Sequence, residues 1–200
     1  MRANLFEKGR VITVKDGKSM DLENILDKLD PDERSFVTEL IERDPLTGVY
    51  NRRKFDRDLQ LLVAMAKRTS KGSSLIFIDI DNFKKYNDTH GHQEGDRTLR
   101  EVTQSIEGSL RDYDRIHIYR YGGEEFVVII PETTTSEAYA IAERIRRNVK
   151  HATGVTISLG ISHCTETSDS PDSLLEDADR ALFQAKGKGR DKVQIYKDTP

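Results

Sequence analysis

Two pairs of carboxylates stand at the edges of apolar runs, where burial works against them. "FIDID" closes one run with Asp79 and Asp81, and "GGEEF" opens another with Glu124 and Glu125 directly after Gly122 and Gly123. An acid in that position is desolvated unless something positive compensates it. Side chains alternate along a strand, so Asp79 and Asp81 share one face and Ile78 and Ile80 the other. Carboxylate and carbonyl oxygens of this kind suit a hard divalent cation, Mg²⁺ or Mn²⁺. Strand-end acids that cap a helix or pair with lysines account for the same pattern. The double glycine permits positive φ and a close backbone approach, which lets the turn bring Glu124 beside Asp79 from a neighbouring strand. Two such acids would make a Mg²⁺ site for phosphate chemistry; a plain hairpin with exposed acids is the alternative.

Basic groups and amides supply the complementary half. "AKGKGR" ends a helical pattern with Lys186, Lys188 and Arg190. The helix dipole and glycine's role as a helix stop explain that composition by themselves, but beside a metal these cations suit triphosphate oxygens. Lys84 is a second candidate, acting with the backbone amides of Asn82 and Phe83 as an anion-binding nest. The chain has no GxxxxGK[ST] loop, so any nucleotide is held another way. "NDTHGHQEGD" then offers Asn87 and Asp96. The aspartate can accept from guanine N1–H and the exocyclic amine, and the asparagine can pair with O6 or N3. His90 and His92 lack ligand spacing with a third partner, and His92 reads as a turn or packing histidine.

These residues need a scaffold, and the rest of the chain supplies one. Its 200 residues make one ordinary domain with a short appendage, and 36% hydrophobic content in periodic segments provides for a core. A net charge of −3 gives no strong drive towards nucleic acid or a membrane surface. The single cysteine, Cys164, excludes an internal disulfide and a cysteine-based zinc site. No 18-residue apolar run or signal-peptide core occurs, so a cytoplasmic protein without membrane contact is expected. Periodicity predicts a helical leader over 19–43, preceded by a short strand at 11–14, and a main domain over 44–200. In that domain, helices are predicted near 51–68, 94–111, 135–150 and 172–186. Strands are predicted at 73–81, at 115–121 and 125–131 as a hairpin, at 155–162 and at 192–196. The order suits an α+β fold, a mostly antiparallel sheet covered by helices.

Taken together, "DPLTGVYNRRKF", "FIDIDNFKKYNDTHGHQEGD", "RYGGEEF", "VTISLGIS" and "ADRALFQAKGKGR" occur in the order of the GGDEF family. The chain resembles that family, the bacterial diguanylate cyclases, from Asp44 to about Tyr196, with Glu124 at the variable acidic position of the signature. The resemblance implies a palm-like fold related to nucleotidyl cyclases and polymerases. It implies a homodimer in which each monomer binds GTP and each 3′-OH attacks the other nucleotide's α-phosphate, giving cyclic di-GMP and two pyrophosphates. By matching motif positions, Asp79 and Glu124 would hold Mg²⁺ with the carbonyl of Ile80. Glu125 would complete that site or help activate the 3′-OH. Asn87 and Asp96 would read guanine. Lys84, Lys186, Arg190 and the amides of Asn82 and Phe83 would hold phosphates, and Asp81 would be structural.

Three readings outside that core stay open. One is a non-catalytic module that binds GTP or cyclic di-GMP and signals through a partner. A second is a regulatory dimerisation module whose chemistry is incidental. The third is a cyclase that also makes cyclic GMP-AMP. The chain also departs from its family at the Arg-x-x-Asp motif that binds inhibitory product. Arg111 and Asp114 are the right types, with Arg120 as a possible helper, but seven residues separate Asp114 from Gly122 where the family has five. Product inhibition through this site is the expectation.

Overall fold

The computed structural model describes residues 11–13, 19–69, 72–110, 116–164 and 170–197, in two compact units, Met1–Arg43 and Asp44–Pro200. In the first unit, β1 (Val11–Thr13) pairs antiparallel with β2 (Ser19–Asp21), followed by α1 (Leu22–Leu26) and α2 (Pro31–Glu42). The expected helical leader thus opens with a strand, and its two helices are separated by the break expected at Asp30-Pro31. The break has a local cause. A residue before proline is driven out of the helical region, and Asp30 is extended at φ −66°, ψ 166°. It instead caps α2, accepting from the amides of Asp32 and Glu33 while Glu33 reaches back to the Asp30 amide.

The second unit begins with β3 (Tyr50–Asn51), α3 (Arg52–Thr69), β4 (Ser73–Ile80), α4 (Phe83–His90) and α5 (His92–Leu110). It continues through β5 (His117–Gly122), β6 (Glu125–Ile130), α6 (Thr135–Thr153), β7 (Ile157–Cys164), α7 (Pro171–Gly187) and β8 (Val193–Ile195). One six-stranded sheet runs in the order β3-β5-β6-β4-β7-β8. Its three inner pairings are antiparallel, and the outer pairings of β3 with β5 and of β7 with β8 are parallel. The result is an α+β fold whose mixed sheet is covered by helices.

Strand alternation divides the core into two layers. Ile76, Ile78 and Ile80 of β4, with Phe126, Val128, Ile157 and Leu159, pack against the Leu99/Val102/Ile106 stripe of α5 and the Ile141/Ile145/Val149 stripe of α6. Leu75, Phe77, Tyr119, Val127 and Ile129 face the other way, onto Phe55, Leu59 and Leu62 of α3 and Leu174, Ala178 and Leu182 of α7. All eight residues of β4 are buried, which is why its middle, Leu75–Ile78, is a continuous apolar run instead of an alternating one. Gly160 lets α7 lie directly on β7: a Cβ there would stand 2.1 Å from the carbonyl oxygen of Ala178 and 2.2 Å from the amide of Leu182. The helices are closed by ordinary means, α6 by a Thr134/Glu137 capping box and a left-handed Gly154, and α7 by Ser170 with Pro171 in its first turn.

Candidate active site

Central position puts the C-terminal end of β4 between two neighbours. Its antiparallel register with β6 sets Asp79 directly opposite Glu125, and the Ile80 amide donates to the Glu124 carbonyl at 3.4 Å. The β5–β6 hairpin closes through Gly123 and Glu124, with Gly122 paired to Glu125 after a register shift that follows Arg120. Gly123 has φ +52°, the positive φ that favours glycine at the first central position of a two-residue loop. Asp79, Glu124 and Glu125 therefore meet at one strand end.

The electrostatics of that end are strained. Asp79 is only 7% exposed. Burial pushes its carboxyl upward, a bond from Lys186 Nζ at 2.8 Å pulls it back, and Glu124 and Asp81 push it up again; the net shift is upward. Burial also raises Glu125, reinforced by Asp79, offset in part by Lys186, and reinforced again by Glu124 and Asp179. Among the described residues, no three His, Cys, Asp or Glu side chains already converge as a closed metal cage. Two or three crowded carboxylates with one cation between them nevertheless fit Mg²⁺, which usually takes one or two carboxylates and completes its shell with water and substrate phosphates.

Two elements flank the acids. On one side the chain leaves β4 through Asn82, left-handed at φ 56°, and enters α4 at Phe83. A left-handed residue followed by helical backbone is a geometry in which successive amides face one anion, and the first amides of a helix have no intrahelical acceptor. Lys84 is exposed on that first turn. On the other side α7 carries Lys186 in its last turn, and the chain then turns through Gly189, Arg190 and Asp191, all with positive φ. Arg190 is exposed. A cleft of about 600 Å³ along the outer face of α7, lined by Arg180, Phe183 and Tyr196 among others, shares Lys186 with this region.

The helix α4 was not expected from the sequence, because its apolar side is just Phe83 and Tyr86. It sets Asn87 against α5. The Asn87 Oδ1 atom is buried without a hydrogen-bond partner, and a Cβ on Gly95 would come within 1.8 Å of it. An orphaned buried amide oxygen calls for an explanation, and a ligand edge is one. Asp96, exposed, follows Gly95 on the same helix. His90 stacks on Tyr86 at 4.3 Å and meets the Tyr86 carbonyl through Nδ1, so it is a packing histidine.

Arg120 is committed to the turn. It pairs with Asp44 at 3.0 Å and donates to the Gly123 carbonyl at 3.0 and 2.7 Å. Asp44 also accepts from the Thr47 amide and hydroxyl; burial raises its carboxyl, but these bonds and Arg120 bring it below the ordinary value. Arg111 and Asp114 lie outside the described residues. Reading the sequence missed the partners of Asp81: Thr156, Ser158 and Asp191 all donate to its carboxylate. The i, i+2 spacing of Thr156 and Ser158 at the start of β7 was the available signal.

Clustered acids at a strand end, flanked by an amide-lined turn and a basic loop, have the chemistry to handle phosphate with a hard cation. The model of the diguanylate cyclase GGDEF domain matches residues 41–192, and the chain belongs to that family. The response regulator PleD of Caulobacter vibrioides is 43% identical over 165 residues, 78% of this chain and 36% of PleD. This chain thus spans little more than a third of that relative. The coiled coil and GGDEF domain of DgcB from Caulobacter crescentus, solved with c-di-GMP, superposes with a TM-score of 0.76 at 31% identity, over 82% of this chain and 90% of that one. The active GGEEF domain of a diguanylate cyclase from Vibrio cholerae gives 0.69 at 32% identity, over 74% and 98%.

Proposed function

We propose that the chain condenses two GTP molecules into cyclic di-GMP and two pyrophosphates as half of a homodimer. The observation that carries this reading is the convergence of Asp79, Glu124 and Glu125 between two phosphate-capable elements. The Vibrio cholerae domain, described as active, carries the same acidic variant of the signature. We take Asp79, Glu124 and the Ile80 carbonyl to hold Mg²⁺ or Mn²⁺, which when bound offsets charge on the α-phosphate and acidifies the attacking hydroxyl.

The chain's own residues do the rest. Asp96 accepts from guanine N1–H and the exocyclic amine, and the Asn87 amide takes the neighbouring edge. Adenine has no matching donor pair, and a site built for such contacts penalises the wrong base. The amides of Asn82 and Phe83, with Lys84 and Arg190, hold phosphate oxygens. Lys186 exchanges its bond to Asp79 for a triphosphate oxygen when nucleotide is present. Glu125 has its carboxyl raised, which makes it a better acceptor for the 3′-hydroxyl proton. Each 3′-oxygen bonds to the α-phosphorus of the opposite nucleotide as pyrophosphate leaves, so two half-sites must face each other.

Product inhibition belongs to the same proposal. Arg111 offers a bidentate contact to phosphate or guanine and Asp114 can hold its partner. Arg120 is assigned to the turn instead. Because GTP is an intracellular substrate, we propose a cytoplasmic location; no helix among the described residues is long and apolar enough to cross a membrane.

One incubation tests the reading. Purified protein with GTP and Mg²⁺, resolved by chromatography, should yield cyclic di-GMP and none with chelator. Equimolar ATP should add little mixed product. The rate should rise faster than linearly with enzyme concentration near the dimer dissociation constant, and should slow as product builds up, less so in Arg111→Ala. Binding of GTP without any product would replace the enzyme by a receptor.

A further inference from the structure

The loop that presents Arg190 is held in an unfavourable shape. Gly189, Arg190 and Asp191 have φ of 103°, 63° and 47°. Two of these are L-residues with side chains, for which left-handed backbone is disfavoured. Such a run persists when its surroundings over-determine it. Here the surroundings are specific. The Arg190 amide donates to the Ala185 carbonyl at 3.1 Å, and the Leu159 amide donates to the Lys192 carbonyl at 2.9 Å. The Asp191 amide donates to Asp81 Oδ2 at 3.0 Å. The Asp191 carboxylate is gripped from α6 by Arg146 and Lys150, each at 2.5 Å.

Asp81 is the other end of that anchor. It is 7% exposed, and both of its oxygens are used: Oδ1 accepts from Ser158 Oγ at 2.7 Å, and Oδ2 from Thr156 Oγ1 at 2.7 Å and from Asp191. Its own amide donates to the Thr156 carbonyl at 2.9 Å. The next residue is Asn82, the left-handed start of the amide turn. One buried carboxylate therefore stands between the amide turn before α4 and the basic loop after α7.

We propose that Asp81 and Asp191 are positioning residues that fix Arg190 relative to the Asn82–Phe83 amides, and so set the span across which a triphosphate is held. This rests on the assignment of Arg190 to phosphate. Asp81 carries no contact to substrate itself; it acts through the loop. A carboxylate suits the task because it accepts all three donors without a donor of its own to place. An amide oxygen turned towards Thr156 and Asp191 would keep the loop bond, with the amide nitrogen facing a Ser158 hydroxyl that can rotate to accept. Asp81→Asn is therefore the conservative replacement and Asp81→Ala the disruptive one.

The test is a double-mutant cycle on nucleotide affinity. Calorimetry would use GTP with a non-hydrolysable α,β-methylene bridge, and guanosine as the probe without phosphates. Arg190→Ala should weaken the triphosphate by about tenfold or more, the loss expected for a charge-assisted contact. Asp191→Ala should weaken it by about three- to tenfold, and the double variant should be no weaker than Arg190→Ala, as coupled residues require. Guanosine affinity should not change in Asp191→Ala. Asp81→Ala should follow Asp191→Ala, and Asp81→Asn should restore the triphosphate affinity; should Asp81→Ala fail to fold, the Asp191 cycle decides alone. Additive losses, or an equal loss of guanosine affinity, would reduce these residues to general structure and overturn the proposal while leaving the phosphate assignment standing. An Arg190→Ala variant with unchanged affinity would remove that assignment and the proposal with it.

Discussion

Asp79 and Asp81 are two residues apart, equally buried, and live in opposite surroundings. Among the described residues, Asp79 has one partner, Lys186, and is crowded by Glu124 and Glu125. Asp81 has three neutral donors, two of them the hydroxyls of Thr156, just before β7, and of Ser158 within it. The first region keeps like charges close and leaves them partly uncompensated, which costs stability until a cation arrives. The second satisfies every lone pair it can and is rigid before any ligand is present. A buried acid at a strand end is thus not one kind of signal. What separates binding from bracing is whether the protein itself completes the acid's hydrogen bonds.

Substitutions should pull the two regions apart. The largest effect is expected on turnover. Glu124→Ala should lower cyclic di-GMP formation by roughly 10²-fold or more, as loss of transition-state charge stabilisation does, while the melting temperature stays level or rises. Unchanged turnover would sink the assignment of the acids. Next comes Asp81→Ala, which strands two hydroxyls and an amide. Each buried group left without a partner costs about 1–3 kcal/mol, and each kcal/mol lowers the melting temperature by about 2–4 °C in a domain of this size. Calorimetric melting that matched the parent would show the network to be idle. The smallest effect is Glu125→Gln. A carboxyl whose folded pKa lies above its unfolded value contributes stability below the unfolded pKa and loses it as pH rises through the folded pKa. The metal-free parent should therefore melt below Glu125→Gln at neutral pH, and the gap should close on acidification. A gap that widens towards acid would reverse the sign given to this site.

How much of this could be read beforehand follows the range of the interactions. Asp79, Glu124 and Lys186 were legible because an apolar run ending in acids, a double glycine and a helix ending in lysine are local patterns. The sheet and its covering helices followed from period. By contrast, β3 is two residues long and exists through its pairing with β5, and α4 has too little apolar surface to show a stripe. The partners of Asp81 lie 75, 77 and 110 residues away, so nothing near Asp81 announces them. The leader was misread at 19–21 because a three-residue strand is visible through its partner at 11–13 and not through its own composition.

Gly160 carries a consequence for engineering. It lies in mid-strand, opposite Phe77 and well inside the sheet, where no chemistry is expected. Yet the missing side chain is what sets the thickness of the layer between β7 and α7. Any larger residue would act as a shim, lifting the helix off the sheet and carrying Lys186 at its far end away from Asp79. The position of the Lys186 ammonium is in this sense gauged one whole helix upstream of it, on β7, and a library that spared only the signature motif is expected to lose activity here without touching a single ligand-facing atom.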